Sequence, residues 1–130
     1  MPDFASPIRF SGTDSYIRAA LTGLSARQRT IANNVANVDT PNFKASEVRF
    51  EDALRAAANR RSSQLGQSQV DTVVSQATPI DGTTSRADGN NVDIEREMEL
   101  LGETNLTYSA LTQVMSTRLS ILRSVIGGGR

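Results

Sequence analysis

The sequence predicts a mainly α-helical, elongated fold: an antiparallel, coiled-coil-like pair of long N- and C-terminal helices around a short irregular, β-containing central segment. Three observations carry this. Two terminal blocks repeat apolar residues at alternating spacings of four and three, the pattern of a helical seam. The stretch from Asn59 to Asn91 is instead rich in Ser, Gln, Thr, Asp and Gly. Turn formers, Asp39-Thr40-Pro41-Asn42 and Asp88-Gly89-Asn90-Asn91, stand at the inner edge of each block.

Residues 1–13 read as a flexible arm ahead of a helix over 14–38 that Thr13 or Asp14 is expected to cap. The helix's seam is Ile17, Leu21, Leu24, Gln28, Ile31, Val35 and Val38. Ala20, Ala32 and Ala36 flank it with small side chains that let another helix come close. Pro41 ends it, because proline disfavours helical geometry in the residue before it.

The central segment, 39–91, is less regular. Lys44 to Phe50 alternates as a short strand, with Val48 and Phe50 on one side. Glu51 to Arg61 reads as a short helix around Ala53, Leu54, Ala57 and Ala58, and Val70 to Val74 is a candidate second strand. A C-terminal helix then covers 92–126. The acids Asp93, Glu95 and Glu97 suit the positive end of its dipole, and Arg118 and Arg123 suit the other. Its seam is Ile94, Met98, Leu101, Asn105, Tyr108, Thr112, Met115, Leu119, Leu122 and Ile126, and the glycines of a 127–130 tail stop it.

A seam this short cannot hold an isolated helix, so the two helices are expected to pair within one structural domain. That pairing sets Arg27 and Arg29 near Glu99 and Glu103, contacts that select register rather than supply stability, at about 1 kcal/mol or less each. A second apolar stripe, Leu111, Val114, Ile121 and Val125, is left over. It is either an intermolecular surface or the place where the central segment folds back. The polar seam residues Gln28, Asn105 and Thr112 either fix register or lie where the seam meets solvent.

Composition excludes several classes of function. The 130 residues are 38% hydrophobic and 5% aromatic, which supports only a thin core. Net charge is zero, so neither a nucleic-acid nor an anionic-membrane partner is indicated. The charge is uneven: residues 1–61 carry nine basic against six acidic side chains, and residues 62–130 carry five against eight. Such polarity either orients subunits head to tail or is a solvated imbalance. Without Cys or His there is no disulfide, no thiolate or imidazole metal site, and no usual general base. No catalytic, cofactor-binding or metal-ligating residue is therefore assigned, and an enzyme is not expected. Glu95, Glu99 and Glu103 form an exposed helical ladder rather than a catalytic pair. A calcium loop centred on Gly89 fails, since Thr84 and Arg86 would fall at ligand places one and three. Neither a cleaved signal peptide nor a membrane span is indicated.

Two segments carry a resemblance. Ile31-Ala32-Asn33-Asn34-Val35-Ala36-Asn37-Val38-Asp39-Thr40-Pro41-Asn42-Phe43-Lys44-Ala45 resembles the N-terminal signature of the bacterial flagellar axial proteins, the rod and hook family. Its matching positions are Ala32, Asn33, Asn34, Ala36, Asn37, Thr40, Pro41, Phe43 and Lys44. Asp88-Gly89-Asn90-Asn91-Val92-Asp93-Ile94-Glu95-Arg96-Glu97-Met98, with Asn105 and Tyr108 downstream, is similar to the corresponding block of proximal rod subunits. The family commonly has Gly-Tyr where this chain has Asn42-Phe43, and Asn where Asp39 stands. Asn42 still tolerates a left-handed turn.

The resemblance implies a proximal-rod subunit of the flagellar basal body that polymerises through its terminal helices and transmits torque from the membrane ring to the distal rod. Its implied partners are copies of itself, other rod proteins, a rod–ring adaptor, the membrane-ring base, and the type III export apparatus. The implied location is the periplasmic rod, reached without signal cleavage. Phe50 and Leu54 resemble an export-gate element, or simply pack one face of the short helix. The three asparagines, poor helix formers, bond a neighbouring subunit, the following loop, or the helix end. The competing reading is a soluble coiled-coil adaptor or export chaperone with one partner.

Overall fold

A computed structural model describes residues 12–59, 76–82 and 86–128, so Val70 to Val74 and most of the arm and tail lie outside the described residues. The chain forms helix α1 (Gly12–Ala36), strand β1 (Ser46–Val48), helix α2 (Phe50–Asn59), strand β2 (Ala77–Pro79) and helix α3 (Ile94–Gly127). The mainly helical class and the long terminal helices match the sequence reading.

Helix α1 starts two residues before the expected position and also ends two before it. The expected caps, Thr13 and Asp14, both lie inside the first turn, and Asp14 is buried, 3.1 Å from Arg118 in the C-terminal half of α3. Asp14 therefore pairs across the helices instead of closing its own. Helix α3 begins at Ile94 because Asp93 stays outside in extended geometry and its carboxylate accepts the Arg96 N–H at 3.2 Å. At the other end the Gly128 N–H reaches the Ser124 carbonyl at 2.9 Å.

The two helices pack antiparallel. The pairs Asp14–Arg118 and Gln28–Asn105, the latter 2.7 Å apart, run in opposite chain directions along them. Strand β1 and helix α2 also pack on α1. The core is small and sits there: Ala20, Leu24 and Ala26 from α1 with Val48 and Phe50, edged by Ala53, Leu54, Tyr108 and Leu111. A Cβ on Gly23 would overlap the Phe50 ring, so this glycine lets α2 dock on α1.

Strand β2 was not expected. It pairs antiparallel with β1 in the register Ser46↔Pro79, Glu47↔Thr78, Val48↔Ala77. Its residues are exposed and end in proline, so they carry no apolar alternation to read. Arg27 and Glu103 line one cleft, but neither Arg27 nor Arg29 forms an ion pair with Glu99 or Glu103 among the described residues. Arg27 instead donates to the Val48 carbonyl (3.2 and 2.9 Å) and to Glu51 (2.6 Å), and lies 4.6 Å over the Phe50 ring. Packing of β1 and α2 on α1 offers a carbonyl, a carboxylate and a ring together, which outcompete one exposed glutamate. No helix among the described residues is long and apolar enough to cross a membrane.

Candidate functional site: a motif clasp and a bare helical stripe

The two sequence blocks, more than forty residues apart in the chain, interlock through asparagine side chains. Asn34, almost fully buried, brackets Ser46: its amide donates to the Ser46 carbonyl at 2.8 Å and its oxygen accepts the Ser46 N–H at 3.0 Å. Asn90, fully buried, donates to the carbonyls of Asn37 and Thr40, both at 2.9 Å, and accepts the Val92 N–H at 2.8 Å. The neighbouring Asn91 accepts the Ala45 N–H at 2.6 Å and donates to Ile80 at 3.1 Å, tying in β2. Lys44 reaches the Gly89 carbonyl at 2.6 Å. Asn side chains carry both a donor and an acceptor on a short stem, so each stands in for a missing stretch of backbone ladder.

Backbone geometry completes the clasp. Asn42 has φ 60 and Gly89 has φ 81, and the Asn42 N–H donates to the Asp88 carbonyl at 2.9 Å. A Cβ on Gly89 would lie 2.7 Å from Asn42 Oδ1, so the two turns approach closely only because this residue is glycine. Of the three helix asparagines, Asn34 bonds the following strand. Asn37 caps the helix end, donating to the Asn33 carbonyl at 2.8 Å and accepting from Thr40 Oγ1 at 3.1 Å.

One acid sits where the clasp meets the helix pair. Glu97 is 3% exposed, and burial pushes its carboxyl above the usual range. Asn34 and Arg96 pull the other way, while Asp93 and Glu47 add to the rise. Its Oε2 has no hydrogen-bond partner among the described residues. Among those residues no group of His, Cys, Asp and Glu is placed to hold a metal.

The seams behave differently on the two helices. On α1, Ile17, Leu24 and Ile31 are buried and Leu21, Gln28, Val35 and Val38 half-buried, while Ala32 and Ala36 face outward. On α3 the buried and half-buried positions are Glu97, Leu100, Leu101, Thr104, Tyr108, Leu111, Met115 and Arg118. Of the expected seam, Leu101, Tyr108 and Met115 are among these, and Asn105 meets α1 from the solvent edge. Ile94, Met98, Leu119, Leu122 and Ile126 are exposed, as are Val114, Ile121 and Val125. Gln28 and Asn105, the polar members of the two expected seams, bond each other at the solvent edge. Phe50 is buried and Leu54 half-buried, both against the core. The sequence marked Asn90 and Asn91 only as turn formers and Glu97 only as an acid suited to the helix dipole, and it gave Thr104 no role. An asparagine run just ahead of a helix was the available signal, since free asparagines there serve backbone groups.

A profile described as flagella basal body rod protein matches residues 17–44, which cover most of α1 and the turn that follows it. The flagellar basal body rod protein FlgB of Bacillus subtilis (strain 168) is 34% identical over 126 residues, covering 93% of this chain and 98% of that protein. The chain belongs to the flagellar basal body rod protein family. FlgB of Borrelia hermsii is 39% identical over 117 residues, covering 79% of this chain and 87% of its own. FlgB of Salmonella typhimurium is 28% identical over 123 residues, covering 85% and 89%. As a member of that family the chain is a structural component of the flagellar basal body rod. Both halves of the clasp fall within the span shared with the Bacillus relative.

Proposed function

We propose that the chain polymerises in the proximal rod through its terminal helices and transmits torque from the membrane ring toward the distal rod. One observation carries this reading: the C-terminal third of α3 leaves Leu119, Ile121, Leu122, Val125 and Ile126 from 46 to 76% exposed. A row of large apolar side chains on one helix is costly in water and is shielded by neighbours of the same kind. Those neighbours are copies of the chain, other rod proteins, the rod–ring adaptor and the membrane-ring base. The seam residues not used inside the chain, Ile94, Met98, Leu119, Leu122 and Ile126, form the contact surface, with Ala32 and Ala36 allowing close approach on α1. The subunit works on the periplasmic side, has no catalytic role, and travels through the flagellar type III apparatus without signal cleavage. Phe50 and Leu54 serve as the export element before folding buries them.

Sedimentation and cross-linking of the purified chain with its rod neighbours test the reading. Open-ended assemblies, and recovery of the chain in isolated basal bodies, are expected. A small closed oligomer that never grows would instead make it an adaptor or chaperone.

A further inference from the structure

The buried acid of the clasp lines a cleft. Glu97 forms part of a cavity of about 240 Å³ bounded by α1, β1 and α3, together with Ile31, Glu47, Leu100 and Glu103. Three arginines also reach it, and each is engaged. Arg27 holds Glu51 and the Val48 carbonyl, Arg49 holds Glu47, and Arg96 lies 3.9 Å from Glu47. Glu97 and Glu103 have no ion-pair partner among the described residues, and Glu97 keeps one oxygen, Oε2, both buried and without a hydrogen bond. A glutamine would have the same shape without the charge. A buried carboxylate left unpaired is costly and calls for a donor that arrives from elsewhere.

We propose that this cleft is a socket for an arginine or lysine side chain of a neighbouring rod subunit, with the Glu97 carboxylate as its acceptor and Glu103 at the rim. The inference rests on the assembly reading above, because the donor comes from another subunit. Its chemistry follows from the walls. Ile31 and Leu100 offer an apolar surface to an aliphatic stem, and the two carboxylates face the charged head. A metal ion fits less well, since the acids are not grouped as a ligand set. The unpaired charge is then a cost to the lone subunit that is recovered on assembly.

The test uses the full chain in flagellated cells and as purified protein. Glu97→Gln is expected to leave the thermal midpoint of the purified chain unchanged or raised. The amount of chain recovered in isolated basal bodies falls more than about tenfold, as for loss of one partner of a buried charge pair. A merely structural role would lower both together, and that result overturns the proposal, as does wild-type recovery of Glu97→Gln. A photo-cross-linking residue in place of Leu100 is expected to capture an arginine- or lysine-bearing segment of a neighbouring subunit in basal bodies. Capture only within its own chain would overturn the socket. If the unaltered chain is itself missing from basal bodies, the assembly reading falls and the socket falls with it. If the unaltered chain is present and Glu97→Gln is indistinguishable from it, only the socket falls.

Discussion

The two ends of the helix pair are built on different principles. At the clasp, Asn34, Asn37, Asn90 and Asn91 bond backbone groups directly, and Asn90 is fully buried. At the other end α3 continues past Arg118, where Asp14 meets it, with a row of bare apolar side chains. Hydrogen bonds are short and directional, so a buried polar group must find its partner within the folded chain. Apolar burial has no direction and scales with area, so it can wait for a neighbour. The clasp therefore holds a lone subunit's fold, and the bare stripe is the surface proposed for assembly.

Breaking the bare end separates the two most sharply. Leu119→Asp or Leu122→Asp should abolish assembly and motility, while urea unfolding of the purified chain moves by no more than about 0.5 kcal/mol, as for other surface changes. Normal swimming by either variant would count heavily against the stripe. Breaking the clasp should do the reverse and strike the monomer. Asn90→Ala strips partners from two carbonyls and one N–H, at a cost of about 3 kcal/mol in urea unfolding. A loss below about 1 kcal/mol would mean that water replaces the side chain.

Smaller changes sharpen the contrast. Gly89→Ala forces an L side chain into φ 81 and a close approach to Asn42, for about 1–2 kcal/mol. An unchanged midpoint would mean that the turns part without penalty. The smallest effect is in pH. The Glu97 carboxyl is raised on folding, so the folded chain holds its proton longer than the unfolded one. The stability tied to that proton is fully present below the ordinary glutamate range and is lost as pH rises through the folded value. Glu97→Gln should flatten that part of the stability–pH curve, measured by urea titration from about pH 4 to pH 7, the region where a raised glutamate titrates. An identical slope in the variant would place the titration elsewhere.

Much of this is legible in the order of the amino acids. The four–three repeat marks both helices, and on α1 it also marks the buried face, with Leu24 and Ile31 inside. The pairing of the two blocks points to the family, and Asn42 does adopt the left-handed turn that its place in the motif requires. Strand β2 is illegible because its residues are exposed and end in proline. The partner of Arg27 is illegible because β1 and α2 compete for it only once they are folded against α1.

The sequence by itself determined the periods and the breaks, because those depend on residues a few places apart. It left open the rotation of α3 about its axis. That helix carries large apolar side chains on several sides, so hydrophobicity alone favours no single face. The contacts from α1 decided it: Asp14 meets Arg118, Gln28 meets Asn105, and Asn34 lies beside Glu97. Polar contacts at fixed points along the pair chose the angle, and only the tertiary structure holds those points together.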